Sequence, residues 1–112
     1  MKQEKINSYE VMWLFVCFDL PVTTQRQQSI ANRFRNLLKK DGFTMMQYSV
    51  YTRHCASRES ARVHIKRVKN IIPAKGHVSI LQVTDKQYGQ IINLRGKKSE
   101  ALETPAPQFE LF

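Results

Sequence analysis

The longest apolar stretch of the chain runs from Val11 to Phe18, eight consecutive residues that lead into Asp19 and then into Leu20 and Pro21. A run of this length, rich in aromatic and β-branched side chains and followed by a proline, predicts a strand that is buried on both faces. The residue before a proline is also expected to be extended. A central strand that delivers one carboxylate to its end resembles the construction of an active site.

Helical periodicity begins after this strand. Thr24 and Gln27 have the spacing of a capping box, and Gly42 supplies a C-terminal stop, so we predict a helix over about residues 24–41. The stripe expected to be buried comprises Ile30, Phe34, Leu37 and Leu38. The basic residues expected on the other faces are Arg26, Arg33, Arg35, Lys39 and Lys40.

Residues 43–53 alternate between two faces, which predicts β structure. The alternation fits either one long strand or two short strands with a kink near residues 47–49. Ser49 and Tyr51 share a face, where a hydroxyl could bind a phosphate or simply be part of the strand.

A second helix is predicted from its cap, Ser57, to about Ile72, just before Pro73. Its core stripe is expected to comprise Ala61, Ile65, Val68 and Ile72. Basic residues repeat at helical spacing on an adjacent face: Arg58, Arg62, Lys66 and Lys69. Like charges at this spacing repel mildly, so the face is either simply solvated or placed against an anion.

The remaining pattern predicts a strand over residues 77–84, a turn over 85–89 and a short last strand over 90–94. The order β-α-β(-β)-α-β indicates an α+β fold of the ferredoxin-like βαββαβ type, with a short extra strand and a C-terminal tail. We predict an N-terminal lead-in at residues 1–10, one domain at 11–95, and a linker with a docking strand at 96–112.

Charge concentrates in the middle of the chain. Residues 24–75 contain 12 Lys and Arg against two acids, a net charge of +10, whereas the rest of the chain carries −1. Such a field favours a polyanionic partner, nucleic acid before a membrane surface. A chain of 112 residues fits one small domain, for which pairing into a homodimer is a reasonable expectation.

Other classes of site find little support in the sequence. Cys17 and Cys55 lack a CxxC partner or a histidine at zinc spacing, and His54, His64 and His77 have no mutual metal spacing. Nucleotide-binding loops and Ser/His/Asp signatures are absent, so no cofactor-binding residues are predicted. Without a signal peptide or a long apolar run, we expect a cytoplasmic protein that does not enter a membrane.

Asp19 is the strongest candidate for chemistry, since it is the only acid between Glu10 and Asp41. Its carboxylate could be a ligand for Mg²⁺, and two such groups across a dimer twofold could support phosphodiester cleavage. Alternatively, Asp19 caps backbone amides near residues 21–23. Arg26, in the first turn of the predicted helix, could reach a phosphate near Asp19 or be solvated.

These segments together resemble one known family. The strand ending in Phe18 and Asp19, the helix ending in LLKKDG at 37–42, and MQYSVY at 46–51 are similar to the small CRISPR-associated endoribonuclease family that partners the CRISPR integrase. The resemblance covers about residues 12–94. The segments QVTDKQYG at 82–89 and FELF at 109–112 are similar to the branch found beside single-protein effector systems.

The resemblance implies a ferredoxin-like homodimer in which the two copies of Asp19 meet at the twofold and bind Mg²⁺. By position, Phe18, Arg26 and Tyr51 match family site residues, whereas a second basic residue expected two positions after Arg26 is Gln28 here. The tail would exchange with the dimer partner or dock on the integrase.

Three functions follow from these observations. The first is a Mg²⁺-dependent nuclease acting on single-stranded RNA or duplex DNA through Asp19, with Phe18, Ser49 and Tyr51 as supporting residues. The second is a non-catalytic adaptor that bridges integrase dimers during spacer acquisition and holds duplex DNA through Arg26, Arg33, Arg58, Arg62, Lys66 and Lys69. The third is an RNA-binding module with aromatic residues on the sheet, Tyr48 or Tyr51.

Overall fold

The computed structural model describes residues 10–96. Their helices and strands, in chain order, are β1 (Met12–Asp19), α1 (Gln25–Lys40), β2 (Thr44–Gln47), β3 (Val50–Cys55), α2 (Arg58–Lys69), β4 (His77–Thr84) and α3 (Asp85–Gly89). Residues 1–9 and 97–112 lie outside the described part. The predicted lead-in, docking strand and domain boundaries therefore stay predictions.

The four strands form one sheet in the order β2-β3-β1-β4, and every neighbouring pair is antiparallel. β1 lies in the centre, where Val16 is opposite Tyr51 on one side and Ile80 on the other. The order βαββαβ with this sheet confirms the predicted α+β architecture. Among the described residues, no helix is long and apolar enough to cross a membrane.

The core lies between the sheet and the two long helices. Alternate residues of β1 contribute to the core from the sheet, because successive side chains of a strand point to opposite faces. The buried members of the core are Met12, Leu14, Val16, Phe18, Phe34, Leu38, Phe43, Tyr51, Cys55, Ala61 and Val68. Since α1 and α2 both contribute to this cluster, they cover the same face of the sheet, as the sequence predicts.

The opposite face of the sheet is only partly covered. We call it the open face, and its central side chains are Trp13, Phe15, Cys17, Val50, Leu81 and Val83. Trp13 stacks on Tyr88 of α3 with ring centroids 3.7 Å apart, and its indole nitrogen donates a hydrogen bond to Asp85 at 2.7 Å. Leu81, directly opposite Phe15, is 55% exposed. On the open face of β1 itself, Phe15 is 9% exposed and Trp13 and Cys17 are half-buried, so the prediction that β1 is buried on both faces is confirmed for Phe15 and only in part for the other two.

Two strands, not one, occupy residues 43–55. β2 and β3 are joined at Tyr48 and Ser49, and the pairing shifts register between Met45 and Gln47. This irregularity provides the kink that the sequence left open, so the βαββαβ version of the fold is the one observed.

The caps of the long helices follow the predicted chemistry. Thr24 and Gln27 form a capping box at the start of α1, and the Ser57 hydroxyl accepts a hydrogen bond from the Ser60 amide at the start of α2. α2 ends at Lys69, however, so Ile72 lies in the following loop and is exposed. The expectation that Ile72 belongs to the core stripe is wrong for this reason.

Two positions of α1 also depart from the predicted faces. Ile30 is exposed, because it lies along a cleft between the start of α1 and the loop before β4. Arg35, expected on a solvent-facing side, is only 9% exposed, because its guanidinium packs over the rings of Phe18 and Tyr48.

The predictions for the end of the domain are wrong. Residues 85–89 form α3 instead of a turn, since Thr84 and Gln87 make a second capping box that starts a helix. Residues 90–94 pair with no strand of the described chain, and Ile92 and Leu94 are exposed there. α3 stacks through Tyr88 on the open face, and between it and residue 96 no further strand joins the edge of the sheet.

Asp41 joins the end of α1 to α2 and β3. Its two carboxylate oxygens accept hydrogen bonds from His64 Nδ1 at 2.7 Å and Arg67 Nη1 at 2.8 Å. Its backbone oxygen accepts a third from Arg53 Nε at 2.8 Å. The Arg53 guanidinium lies where a side chain at Gly42 would otherwise be, with φ of 93° at this glycine. One acidic residue thus ties three elements together away from the Asp19 end of β1.

We expect this contribution of Asp41 to depend on pH. Burial raises the pKa of the Asp41 carboxyl, but the hydrogen bonds and charges of His64 and Arg67 outweigh burial, so the pKa lies below its ordinary value of 3.8. A lowered pKa stabilises the fold above the unfolded-state value, and this contribution is lost as pH falls through the folded-state value. Asp41→Asn should lower the free energy of unfolding by about 1–3 kcal/mol at pH 7.

Urea unfolding of both proteins at pH 7 and at several values below 4 measures this effect. The difference between wild type and Asp41→Asn should shrink as pH falls below 3.8. Glu59→Gln, at an exposed acid of α2, is the matched control and should change stability by less than about 0.5 kcal/mol. A difference that stays constant down to the lowest pH would contradict the role of the Asp41 charge.

Candidate active site and basic surface

Asp19 is the last residue of β1 and is exposed. It lies on the side of the open face, and its cross-strand neighbour is His77, the first residue of β4. Within residues 10–96 its carboxylate has no hydrogen-bond or ion-pair partner. The acid is therefore available to a ligand on the surface of the molecule.

The alternative role of Asp19 as a cap finds no support in the following loop. The amides of Thr23 and Thr24 both donate to Oε1 of Gln27, at 2.9 and 3.1 Å. Gln28, which stands where the family resemblance leads one to expect a basic residue, donates to the Val22 carbonyl at 3.1 Å. The loop thus obtains its hydrogen bonds from α1 and not from the acid.

The backbone of Asp19 is enclosed by the loop that precedes β4. Gly76 has a φ of 101°, and a Cβ atom there would lie 2.8 Å from the Asp19 carbonyl oxygen and 2.8 Å from Leu20 Cδ2. Only glycine combines this conformation with such a close approach at low cost. The loop therefore holds the end of β1, and it also brings His77 beside Asp19. Sequence reasoning missed His77, because only strand pairing places it near the acid.

The predicted supporting residues, Phe18, Ser49 and Tyr51, lie next to the end of β1 that carries Asp19. The Phe18 amide donates to the Ser49 carbonyl at 3.1 Å, which joins the end of β1 to the turn between β2 and β3. The Phe18 ring packs edge-on against Phe34 at 5.1 Å and contacts Tyr51 at 5.8 Å. Tyr51 is fully buried, and its hydroxyl has no partner in the described chain. This burial favours the alternative in which Tyr51 is simply part of the strand, and it leaves Tyr48 as the candidate for an exposed aromatic residue. Support of the site by Tyr51 through packing stays a prediction.

A buried cation lies beside this cluster. The Arg35 guanidinium carbon is 4.1 Å from the Tyr48 ring centroid and 5.5 Å from that of Phe18. Its Nη1 donates to Asn32 Oδ1 at 3.3 Å, its Nε is buried without a partner, and no carboxylate of the described chain pairs with it. Nothing in the helical periodicity distinguishes Arg35 from its exposed neighbours, so this contact cannot be predicted from the sequence pattern.

The predicted nucleic-acid residues differ in their availability. Those that are exposed and form no ion pair within residues 10–96 are Arg26, Arg33, Arg62, Lys66 and Lys69. Arg58, in contrast, pairs with Glu10 at 2.9 Å and is half-buried, so much of its charge is compensated. All six belong to the helix layer, on the opposite face of the sheet from the open face.

Arg26 lies at a cleft of about 310 Å³ next to the Asp19 end of β1. Leu20, Ile30 and Pro73 provide apolar walls, and Lys75 adds a second cation. The structure thus brings Arg26 to the same end of the sheet as Asp19, whereas Arg58 begins α2 at the other end, after Cys55 of β3.

The donor chemistry of this end fits a hard divalent cation only in part. Among the described residues, no group of three or more His, Cys, Asp or Glu side chains could hold a metal ion. Asp19 offers one accessible carboxylate, and Mg²⁺ in proteins is typically held by one or two carboxylates together with water. A second Asp19 from another copy would complete such a pair of ligands.

Comparison with known proteins agrees with this fold. Residues 12–91 match the family model described as CRISPR associated protein Cas2. A protein of Flavobacterium psychrophilum named CRISPR-associated endoribonuclease Cas2 is 45% identical over 96% of this chain and 94% of its own. One of the same name from Parvibaculum lavamentivorans is 48% identical over 90% of this chain and 100% of its own.

A solved structure supports the same fold. The chain described as the crystal structure of cas2 superposes with a TM-score of 0.55 at 22% identity, covering 88% of this chain and 97% of that one. With this similarity in fold and with close relatives that match over most of their length, the chain belongs to the Cas2 family of CRISPR-associated proteins.

Proposed function

We propose that this chain acts in the cytoplasm as a homodimer in CRISPR adaptation, where it binds nucleic acid and cleaves phosphodiester bonds with a metal ion held between two copies of Asp19. The observation that carries this proposal is the exposed carboxylate of Asp19, which has no partner within residues 10–96 and lies beside a partly uncovered apolar face. The name of the relatives, CRISPR-associated endoribonuclease, supports an activity on RNA.

The open face supports the homodimer. Trp13 and Cys17 are half-buried, Phe15 between them is buried, and Leu81 is exposed, so this face is apolar and accessible in part. Uncovered apolar patches of this kind mark interaction surfaces. Most homodimers are twofold symmetric, so a residue at one end of the contact surface can meet its counterpart across the axis. Asp19, on the same side of β1 as Cys17, is in a position to do so.

The residues at this site would share the work of cleavage. Asp19 of each copy would bind the cation, which supplies positive charge that stabilises the phosphodiester in the transition state. Arg26, at the same end of the sheet, would hold a neighbouring phosphate. Phe18 and Ser49 keep the end of β1 against the β2–β3 turn, which fixes the direction of the acid.

A second function is favoured by the helix layer. Its exposed and unpaired cations suit the backbone of duplex DNA, since phosphate contacts of Lys and Arg bind without reading sequence. In this reading the dimer bridges integrase subunits and holds spacer DNA without cutting it. Arg26 would serve both functions, but Asp19 and the cations of α2 lie on opposite faces of the sheet, so the two functions can be separated by substitution at those positions.

The dimer is tested by Leu81→Asp, which places a charge in the centre of the open face. We expect sedimentation velocity to show a dimer for wild type and a monomer for the variant, because an unpaired buried carboxylate is strongly unfavourable in an apolar interface. Val63→Asp, at an exposed apolar residue of α2, is the matched control and should stay dimeric. A dimeric Leu81→Asp protein would remove the open face as the interface.

Catalysis is tested by Asp19→Asn. We expect cleavage of single-stranded RNA and duplex DNA in Mg²⁺ to fall by at least about 100-fold, since the variant loses a charged metal ligand. Glu59→Gln serves as the control, because it removes an acid that is also exposed but lies far from Asp19, on α2. Persisting cleavage by Asp19→Asn would exclude the metal site. Loss of cleavage with intact spacer acquisition in cells would assign the biological role to the adaptor function.

Duplex binding is tested by Arg62→Gln and Lys66→Gln on α2. Each should weaken DNA binding and reduce the slope of log affinity against log salt by about 0.9, the value for one lost phosphate contact. Lys86→Gln, on α3 at the open face, removes the same charge from the other side of the sheet and should leave the slope nearly unchanged. Equal effects of all three substitutions would mean that only net charge matters.

A further inference from the structure

The turn between β2 and β3 carries an aromatic ring in an unusual environment. Tyr48 is 68% exposed, although large aromatic side chains are mostly buried on average. The Arg35 guanidinium lies 4.1 Å from the ring centroid and belongs to a residue that is only 9% exposed. A buried group thus holds the ring in place, while most of Tyr48 remains in solvent.

The cation beneath this ring is poorly compensated. Arg35 has no carboxylate partner among the described residues, its Nε is buried without a hydrogen bond, and its one side-chain hydrogen bond is a long contact to Asn32. Burial of an unpaired cation is unfavourable, and the attraction of an aromatic ring offsets this only in part. An arrangement that costs stability is a reason to look for a ligand at the same place.

The ring lies at the Asp19 end of the sheet. Ser49, next to Tyr48, accepts a hydrogen bond from the amide of Phe18, which directly precedes Asp19. Arg35 contacts the Phe18 ring as well as that of Tyr48. An accessible planar ring and a buried positive charge therefore meet at this end of the sheet. They lie on its helix side, whereas the Asp19 carboxylate lies on the side of the open face.

From this convergence we infer that Tyr48, held by Arg35, is a stacking site for an unpaired nucleobase, and that the nucleic acid engaged at the Asp19 end is single-stranded. This rests on the proposed function in so far as the chain binds nucleic acid. Aromatic side chains stack on bases of any sequence, because every base has a π face. A base inside a duplex is covered on both faces by its neighbours, so only an unpaired or splayed base can lie on Tyr48.

The charge of Arg35 adds to this preference in two ways. It attracts the polyanionic strand towards the turn, and its contact with the Tyr48 ring holds that ring in one orientation. The stacked nucleotide would place its phosphates near the end of β1, which directs the strand towards Asp19. α2, in contrast, contains no Phe, Tyr or Trp, and its exposed cations suit a duplex.

The test uses a short single-stranded RNA that contains one 2-aminopurine, titrated with the full-length chain in EDTA so that metal-dependent cleavage does not occur. Wild type should quench the 2-aminopurine fluorescence, since the probe base stacks on Tyr48. Tyr48→Leu should abolish quenching and weaken binding of the single strand by roughly 5- to 150-fold. Tyr48→Phe and Tyr48→Trp keep a ring and should retain both signals.

Matched controls separate stacking from other effects. Met45→Ala removes another exposed apolar side chain of the same hairpin and should change neither signal. Duplex DNA affinity should be the same for wild type and Tyr48→Leu, because duplex binding belongs to the helix layer. Circular dichroism of Tyr48→Phe and Tyr48→Leu verifies that the hairpin remains folded.

The outcomes distinguish this inference from the function on which it rests. If wild type binds neither single strands nor duplex, the proposed nucleic-acid function itself fails. If wild type binds both and Tyr48→Leu quenches and binds single strands as well as wild type does, the stacking site is overturned while nucleic-acid binding stands. A Tyr48→Leu protein that changes its sedimentation coefficient and not its fluorescence response places Tyr48 in a subunit interface, which also overturns the inference.

Discussion

The pairing of β1 on both of its edges is the constraint on which the other features depend. Antiparallel ladders with β3 and β4 fix the register of eight residues at once. Because side chains alternate along a strand, a slip of one residue would exchange its two faces. Leu14 and Val16 would then leave the core, and Asp19 would turn towards the helix layer. The same hydrogen bonds that assemble the core therefore also determine where the acid points.

Much of this arrangement is readable from local sequence. The apolar run before Asp19, the capping box at Thr24 and the proline after α2 each act over a few residues, and the structure places these elements where the patterns predict them. The order of these elements along the chain is enough to predict the α+β fold. Asp19 is a visible candidate because its position at a strand end is itself a local property.

The features that could not be predicted from the sequence depend on contacts between residues that are far apart in the chain. Arg35 has the spacing of a surface residue, and only the turn that carries Tyr48 accounts for its burial. His77 is near Asp19 only through the ladder between β1 and β4. Residues 90–94 are rich in apolar side chains like a strand, but a strand needs an edge to pair with, and no pattern within the segment shows whether one is free.

The molecule buries charge in two different ways. The Asp41 carboxylate accepts hydrogen bonds from His64 and Arg67 of α2, so its negative charge is used in holding α2 to the end of α1. Arg35 is enclosed by the rings of Phe18 and Tyr48, donates one long hydrogen bond to Asn32, and has no carboxylate partner within residues 10–96. Burial of a charge is favourable only when other groups compensate it, and the protein meets this need for Asp41 far better than for Arg35. The close contact at Gly76 has a consequence for motion. The loop backbone approaches the Asp19 carbonyl with no side chain between them, so the acid cannot be displaced without displacing the start of β4. A load applied to the carboxylate is therefore carried by two strands and not by a free chain end.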